Sequence, residues 1–221
     1  LYLTSPCGRY MPGRICITMV PLSQHPVPSS LTSCGIQGLN TLEQNLQDAA
    51  EKVIKEIKSL QLNQQDPIIV AIDGGSGAGK STLATRIEGD LDTALIPLDD
   101  FFSGHIPDNQ WDTFTVEAKL EHVFDWDLLR KRVLVPLSRR KPAKWYAFDF
   151  QSGLRPDGTY DKEDTPKRRD PAEVILVEGA YSASPALSDL VDLTVLVDVP
   201  EEERHARLKG RETHDFLEKW H

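Results

Sequence analysis

A glycine-rich segment at residues 74–81 carries the residue types that most directly predict chemistry. It reads Gly-Gly-Ser-Gly-Ala-Gly-Lys-Ser, fills the pattern G-x-x-x-x-G-K-[ST] at every fixed position, and follows the run 68–73. Glycines let several backbone N–H groups point inward at phosphate oxygens, and a helix that begins there presents its positive end to the same anion. The segment therefore predicts a site for the phosphates of a nucleoside triphosphate.

The residues of this loop have separate predicted roles. Lys80 is placed to reach the β- and γ-phosphates, and the Ser81 hydroxyl can bind Mg²⁺. The expected cofactors are therefore ATP and Mg²⁺. The loop residues expected to bind the nucleotide are Gly74, Gly75, Ser76, Gly77, Ala78, Gly79, Lys80, Ser81 and Thr82.

Acidic residues directly follow the later apolar runs of the chain. These residues are Asp99, Asp100, Glu178 and Asp198. Transfer of a phosphoryl group to an alcohol needs a metal ion at the phosphates and a carboxylate that orients or deprotonates the hydroxyl. We predict that Glu178 acts with the metal and that one acid of the pair Asp99–Asp100 works at the site, while the other caps the next segment or is solvated. Asp198 is equally well explained as a helix cap.

Three arginines supply positive charge near the end of the sequence. Arg204, Arg207 and Arg211 are spaced three and four residues apart, so they share one face of a helix. Arginines at this spacing repel each other, which predicts an anion between them. The alternative is a solvated helix in which Glu203 pairs with Arg207. Together with Lys80, the arginines favour a lid over the phosphates, with Arg207 catalytic and Arg204 and Arg211 binding the nucleotide.

Alternating helical and extended patterns predict the elements that position these residues. Apolar residues recur at three- and four-residue steps between residues 42 and 60, as is typical of an amphipathic helix. Extended runs lie at 68–73, 94–98, 174–177 and 193–197, with a strand-like segment at 145–150 and helical stretches at 80–89 and about 116–137. Strands separated by helices predict an α/β fold with a parallel sheet and helices on both faces. Ligands of such folds bind at the carboxyl ends of the strands.

Composition limits the class of protein. The chain has 221 residues, of which 39% are hydrophobic and 27% are charged, enough for one α/β domain with a sizeable core. A formal net charge of −9 argues against a nucleic-acid-binding surface. No apolar run approaches the ~18 residues of a membrane span. We expect a cytoplasmic protein whose partner is a small-molecule acceptor and neither nucleic acid nor a membrane; a homo-oligomer is left open.

The first residues differ in composition from the rest of the chain. Residues 1–42 contain no Asp or Glu, are rich in Ser, Thr and Pro, and include all three cysteines, which we interpret as free thiols. We predict a disordered or non-native extension over 1–40, with an organelle transit peptide as the alternative, followed by a kinase domain over 41–221.

The motifs together carry a resemblance to a known family. The phosphate loop is followed, in the same order as in that family, by Pro-Leu-Asp-Asp-Phe-Phe at 97–102, Phe-Asp-Phe at 148–150, Val-Glu-Gly at 177–179 and the arginine helix. Over about residues 45–221 the chain resembles the uridine kinase and phosphoribulokinase family of P-loop kinases. Phe-Asp-Trp-Asp-Leu-Leu at 124–129 and Trp-His at 220–221 resemble its bacterial uridine-kinase-like members.

The resemblance implies a P-loop NTPase fold of three layers and specific roles for the acids. It implies that Asp99 is the catalytic base and also helps to bind Mg²⁺, with Ser81 and Glu178 as the other metal residues. The lid arginines map onto the three arginines above. Family members continue into another helix and a further strand, so we expect the domain to be incomplete at its C-terminus and its sheet to lack the last strand.

The acceptor is less well defined by these motifs. Characterised uridine kinases have Ser after the catalytic acid and a His soon after the Tyr-Asp-Phe run, where this chain has Asp100 and no histidine. Tyr146, Phe148 and Asp149 are candidates to line the acceptor pocket, with ordinary packing as the alternative. We predict a kinase for a hydroxyl of a nucleoside-like metabolite. The alternatives are a sugar-phosphate or pantothenate-like acceptor, or a nucleotide-binding regulatory protein without phosphate transfer.

Overall fold

The computed structural model describes residues 14–18 and 34–209, with side chains described between residues 44 and 208. The strands are β1 (Arg14–Thr18), β2 (Ile68–Asp73), β3 (Thr93–Pro97), β4 (Ala143–Trp145), β5 (Lys167–Arg169), β6 (Val174–Glu178) and β7 (Leu193–Asp198). The helices are α1 (Cys34–Gln61), α2 (Lys80–Glu88), α3 (Asp108–Trp111), α4 (Val116–His122), α5 (Trp126–Leu128), α6 (Val135–Ser138) and α7 (Glu201–Lys209). A π-helical segment, Leu129–Leu134, joins α5 to α6, and Leu98–Phe101 and Pro185–Leu187 form 3₁₀ turns.

A five-stranded parallel sheet forms the centre of the domain, in the order β1-β7-β2-β6-β3. Alternate residues of β2 point to opposite faces: Ile68, Val70 and Ile72 pack with apolar residues of α1 and α2, whereas Ile69 packs with those of the segment 124–145. A strand buried on both faces has to be apolar throughout. This confirms the predicted α/β fold with a parallel sheet and helices on both sides.

The predicted strand at 145–150 is largely wrong. Only Ala143–Trp145 is extended, and it pairs antiparallel with β5 in a separate two-stranded sheet. Beyond Trp145 the chain turns toward the end of β3, because the N–H of Phe148 donates to the carbonyl oxygen of Asp100 at 2.8 Å. Residues 146–166 form the long connection between β4 and β5 beside the site, which we call the acceptor loop.

The single helix predicted at 116–137 is also interrupted. The helix α4 ends at His122, and a new helix begins after Asp125, whose Oδ1 accepts the backbone N–H of Leu128 at 2.9 Å. Phe124, between the two, forms a β-bridge with Phe102. The break therefore brings residue 124 against the turn that carries the predicted catalytic acid.

Both predicted termini lie partly outside the described residues. Within the predicted extension 1–40, residues 14–18 form β1, which pairs in parallel with β7 from Arg14 opposite Thr194 to Thr18 opposite Asp198. The helix α1 begins at Cys34. In this structure β1 is therefore the edge strand next to β7, while the domain boundary at residue 41 stays a prediction. Among the described residues, no helix combines the length and apolar character needed to cross a bilayer.

Candidate active site

The glycine-rich segment forms a tight loop between β2 and α2, at the carboxyl end of the central strand. Gly77 and Gly79 have φ angles of 77° and 98°, in the left-handed region that favours glycine. A Cβ atom on Gly77 would lie 2.8 Å from the carbonyl oxygen of Arg204, so α7 packs directly on the loop. Because α2 begins at Lys80, its N-terminal backbone amides face the same region.

Lys80 is held inside this loop. Its side chain is only 8% exposed, and its Nζ donates to the carbonyl oxygen of Gly75 at 3.1 Å. Burial lowers the pKa of Lys80, whereas the nearby carboxylates of Glu178, Asp73 and Asp99 raise it. Lys80 is therefore a buried amine that lies close to three protein carboxylates.

Ser81 and Glu178, both predicted metal residues, are brought together. The hydroxyl of Ser81 donates to Oε1 of Glu178 at 3.0 Å, and Glu178 ends β6 in register with Ile72 of β2. Mg²⁺ prefers hard oxygen ligands and is typically held by one or two carboxylates together with substrate phosphates. One hydroxyl and one carboxylate beside the phosphate loop fit that requirement. Within residues 44–208 no cluster of three or more His, Cys, Asp or Glu residues forms an all-protein metal site.

Asp99 follows β3, which is separated from the phosphate-loop strand β2 by β6, and its charge interacts with that of Lys80. It lies in the 3₁₀ turn after β3, with its side chain accessible to solvent. Surrounding protein atoms partly desolvate the carboxylate and raise its pKa, the charge of Lys80 lowers the pKa, and that of Asp100 raises it. A carboxylate with a raised pKa is a stronger base than an ordinary aspartate, which suits it to accept a proton from a hydroxyl.

Asp100 has a different environment from its neighbour. The side chain is 6% exposed, its Oδ2 accepts from Nε1 of Trp145 at 2.9 Å, and its Oδ1 accepts from Nζ of Lys167 at 2.7 Å. The prediction that the second acid of the pair caps a segment or is solvated is therefore wrong, because Asp100 is buried and paired. Its bonds fix the two strands that flank the acceptor loop, and Asp99 is left facing the site.

The basic cluster 167–169, which has the composition of a solvated loop, is instead the strand β5. Lys167 pairs with Asp100, and Nε of Arg169 donates to the carbonyl oxygen of Leu95 in β3 at 3.0 Å. Lys167 is thus a residue beside the site that sequence reasoning missed. Its partner is 67 positions away in sequence, and no local pattern could indicate that pairing.

Two of the three predicted lid arginines contact the phosphate loop. A Cβ atom on Gly75 would lie 2.5 Å from Nη1 of Arg204, which places that guanidinium against the loop. Nη1 of Arg207 donates to the carbonyl oxygens of Gly77 and Ala78 at 3.2 and 3.3 Å. Arg207 also donates to Oε1 of Glu203 at 2.5 Å, so the ion pair of the alternative interpretation is present as well. Arg211 lies outside the described residues.

Aromatic rings border the site next to the turn of Asp99. The ring of Phe102 lies 4.7 Å from that of Phe124, 5.8 Å from that of Phe148 and 5.7 Å from that of Phe150. Phe150 is 62% exposed, so this cluster has an open apolar side. Phe102 and Phe150 were not predicted as site residues, although both belong to the quoted motifs at 97–102 and 148–150.

The other two predicted acceptor residues are placed differently from Phe148. Tyr146 is exposed on the acceptor loop. Oδ1 of Asp149 accepts the backbone N–H groups of Gln151 and Ser152 at 2.8 and 3.2 Å, so this carboxylate stabilises a turn of the loop. Of the three candidates, only Phe148 joins the aromatic cluster.

A parallel sheet with a phosphate-binding loop at its central strand, a buried lysine and a carboxylate at the neighbouring strand end define a P-loop kinase. Residues 69–214 match the model of the Phosphoribulokinase / Uridine kinase family. The chain belongs to this family, and it is a phosphotransferase that acts on a hydroxyl group.

Individual proteins that this chain resembles include uridine kinases. The chain is 29% identical over 147 residues to the uridine kinase of Ureaplasma urealyticum, covering 64% of this chain and 67% of that protein. It is 31% identical over 153 residues to the uridine kinase of Staphylococcus aureus strain Newman, covering 66% of this chain and 68% of that protein. The solved structure of a possible uridine kinase from Bacillus stearothermophilus shares the fold, with a TM-score of 0.53 at 19% identity, over 78% of this chain and 92% of that one.

Proposed function

We propose that this protein transfers the γ-phosphate of ATP to a hydroxyl of a nucleoside-like metabolite, with Asp99 as the catalytic base. The observation that carries this proposal is the division of work between two adjacent acids. Asp100 is occupied by Trp145 and Lys167, whereas Asp99 is accessible and close enough to Lys80 for each charge to shift the pKa of the other. This arrangement supports a position for Asp99 beside the γ-phosphate that Lys80 would bind.

In this proposal the chain positions two reactants and moves one proton. The loop amides and Lys80 hold the phosphate oxygens, and Arg204 and Arg207 add positive charge from α7. The acceptor hydroxyl donates a hydrogen bond to Asp99, which accepts the proton as the oxygen attacks the γ-phosphorus and ADP leaves. Ser81 and Glu178 would hold Mg²⁺, and the bound ion supplies charge neutralisation at the phosphates. The carboxylate of Asp99 would also help to hold the ion.

The aromatic cluster supports an acceptor that contains a ring. The exposed side of Phe150, next to Phe102 and Phe148, is an apolar surface on which a planar ring can stack. The relatives named above are uridine kinases, which agrees with a nucleoside-like acceptor. A sugar phosphate or a pantothenate-like alcohol lacks a planar aromatic ring to stack there, and remains the alternative acceptor class.

The test is an acceptor panel with a matched pair of variants. ADP formation is followed by a coupled assay with nucleosides, sugar phosphates and pantothenate as acceptors. We expect a nucleoside to accelerate ATP consumption, and Asp99→Asn to lower kcat by about 10²–10⁴-fold while ATP still binds. Asp90→Asn serves as the control. Asp90 follows the C-terminal end of α2, away from the phosphate loop at the start of that helix, so we expect wild-type turnover.

Two results would contradict the proposal. If Asp99→Asn retains wild-type turnover, Asp99 is not the base. If no acceptor accelerates ATP consumption although ATP binds, the alternative of a nucleotide-binding regulatory protein is favoured. Acceleration by a sugar phosphate or pantothenate alone would keep the base and change the acceptor class.

A further inference from the structure

Asp73, the last residue of β2, joins the two segments that form the phosphate and metal site. Its Oδ1 accepts the backbone N–H of Gly74 at 2.6 Å and that of Tyr181 at 2.9 Å, and its Oδ2 accepts the N–H of Ala183 at 3.0 Å. Gly74 opens the phosphate loop, whereas the other two donors lie in the segment that follows Glu178. One oxygen atom therefore bonds to both segments.

The segment after Glu178 is held in a conformation that it would not adopt by itself. Tyr181 has a φ of 71°, which is uncommon for a bulky residue and persists only where the surroundings impose it. The N–H of Gly179 donates to the carbonyl oxygen of Ile72 at 3.2 Å, one residue before Asp73. Two successive residues of β2 thus fix the path of the chain as it leaves Glu178.

We propose that Asp73 is a positioning residue for the binding of Mg²⁺-ATP: it holds the first amide of the phosphate loop and the segment 179–183 in one arrangement, so that Glu178 faces Ser81. This inference rests on the proposed use of Mg²⁺-ATP. It adds a residue that touches neither the nucleotide nor the metal but aligns both of their binding segments through backbone hydrogen bonds.

The isosteric variant Asp73→Asn separates positioning from charge. A carboxamide has one acceptor oxygen and one donor nitrogen, so in either orientation at least one of the three backbone N–H groups faces another donor. Removing a negative charge near Lys80 would by itself favour an anionic nucleotide. Weaker binding of the nucleotide by Asp73→Asn in EDTA would therefore indicate lost positioning, because without Mg²⁺ the lost charge acts only on the anion.

The readout is the gain in affinity that Mg²⁺ confers. The dissociation constant of a fluorescent N-methylanthraniloyl derivative of ATP is measured with Mg²⁺ and with EDTA, and the ratio of the two constants is the magnesium gain. For wild type we expect Mg²⁺ to tighten binding. For Asp73→Asn we expect the gain to fall about tenfold, the lower end of the range for groups that orient metal ligands.

Asp192→Asn is the matched control. Oδ2 of Asp192 accepts the backbone N–H of Ile69 at 2.8 Å, which is the same kind of bond on the same strand but at its other end. We expect this variant to lose stability and to keep the wild-type magnesium gain within about twofold. An equal fall in both variants would show a general weakening of β2 and would overturn the inference, as would a wild-type gain in Asp73→Asn.

A second variant keeps the test decisive if Asp73→Asn does not fold at the assay temperature. Asp73→Ser is smaller, retains one acceptor oxygen, and is expected to lose the magnesium gain in the same way; a wild-type gain would again overturn the inference. Failure of the proposed kinase function has a different signature. In that case wild type transfers no phosphate to any acceptor, while the difference between the Asp73 and Asp192 variants in magnesium gain remains.

Discussion

Replacing Lys167 by methionine should weaken the attachment of the acceptor loop to the site without changing the phosphate loop. Lys167→Met keeps most of the length of the side chain and removes the charge that pairs with Asp100 at 2.7 Å. The carboxylate of Asp100 is almost completely buried and would retain only its bond from Trp145. The variant therefore leaves a buried negative charge with half of its partners.

The magnitude follows from the burial of the two partners. Removing one member of a fully buried ion pair costs about 3–5 kcal/mol, and a hydrogen bond to a charged group contributes about 1.5–3 kcal/mol. The side chain of Lys167 is 34% exposed, so water can partly replace it. We expect Lys167→Met to lower the free energy of unfolding by about 2–3 kcal/mol.

Arg168→Met is the control for this experiment. Arg168 is the next residue of β5 and pairs with Asp170 at 2.8 Å, but both side chains are more than 60% exposed. Such surface pairs contribute about 0–1 kcal/mol. Urea unfolding of the Lys167→Met and Arg168→Met variants measures the difference in the free energy of unfolding. Asp100→Asn alone and the double variant Lys167→Met/Asp100→Asn are unfolded in the same way. The double variant should be less destabilised than the sum of its two single changes by about 1–3 kcal/mol.

Enzyme kinetics test the functional half of the same prediction. The backbone carbonyl oxygen of Asp100 accepts the N–H of Phe148, so a displaced Asp100 shifts the aromatic cluster of Phe102, Phe148 and Phe150. The KM for the acceptor should therefore rise while the KM for ATP stays near wild type. Equal stability of the Lys167→Met and Arg168→Met variants would refute the reasoning. A rise in the KM for ATP alone would also refute it.

Two further predictions concern Asp99 and the phosphate loop. The pKa of Asp99 is raised above the ordinary value of about 4, so kcat/KM should fall as the pH drops through the raised pKa. The folded state binds the proton more tightly than the unfolded state, so the free energy of unfolding should fall as the pH rises from about 4 to the raised pKa. Asp99→Asn should remove this stability change, and urea unfolding across the pH range checks it; an unchanged profile would contradict the assignment. Gly77→Ala adds a Cβ only 2.8 Å from the carbonyl oxygen of Arg204 at a φ of 77° and should weaken ATP binding at least about tenfold. Gly153→Ala has a similar φ of 70° but no atom within 4 Å of the added Cβ, so fluorescence titration should show wild-type binding for this control.

The sequence predicted those parts of the fold whose signals are local. The strands β2 and β6 were recognisable because strands buried on both faces are apolar throughout. The strands β3 and β7 alternate between buried and more exposed residues, but they are also mostly apolar. The segment 145–150 misled because it is rich in aromatic residues, which favour strands, whereas a hydrogen bond from Phe148 to Asp100 directs it toward the end of β3. The pairing of β1 with β7 connects residues about 180 positions apart, and nothing in residues 14–18 could indicate it.

The candidate site divides in the same way. The phosphate loop and Glu178 could be assigned from spacing and position, since loop chemistry and strand ends are local properties. The different roles of Asp99 and Asp100 could not, because two adjacent carboxylates are distinguished only by what surrounds them. Trp145 and Lys167 reach Asp100 across 45 and 67 positions of sequence.

The carboxylates of Asp73 and Asp100 thus stabilise different parts of the candidate site, the phosphate side and the acceptor side. Asp73 bonds to the phosphate loop and to the segment after Glu178, whereas Asp100 bonds to β4 and β5, which flank the acceptor loop. Asp99 directly precedes Asp100 in the turn that follows β3, a strand of the parallel sheet. Under the proposed roles, changes in the acceptor loop would alter which hydroxyl reaches Asp99 without disturbing the phosphates. Such an arrangement would let one phosphate-transfer site serve different acceptors, which agrees with the complete motifs for phosphate binding and with acceptor motifs that differ from those of uridine kinases.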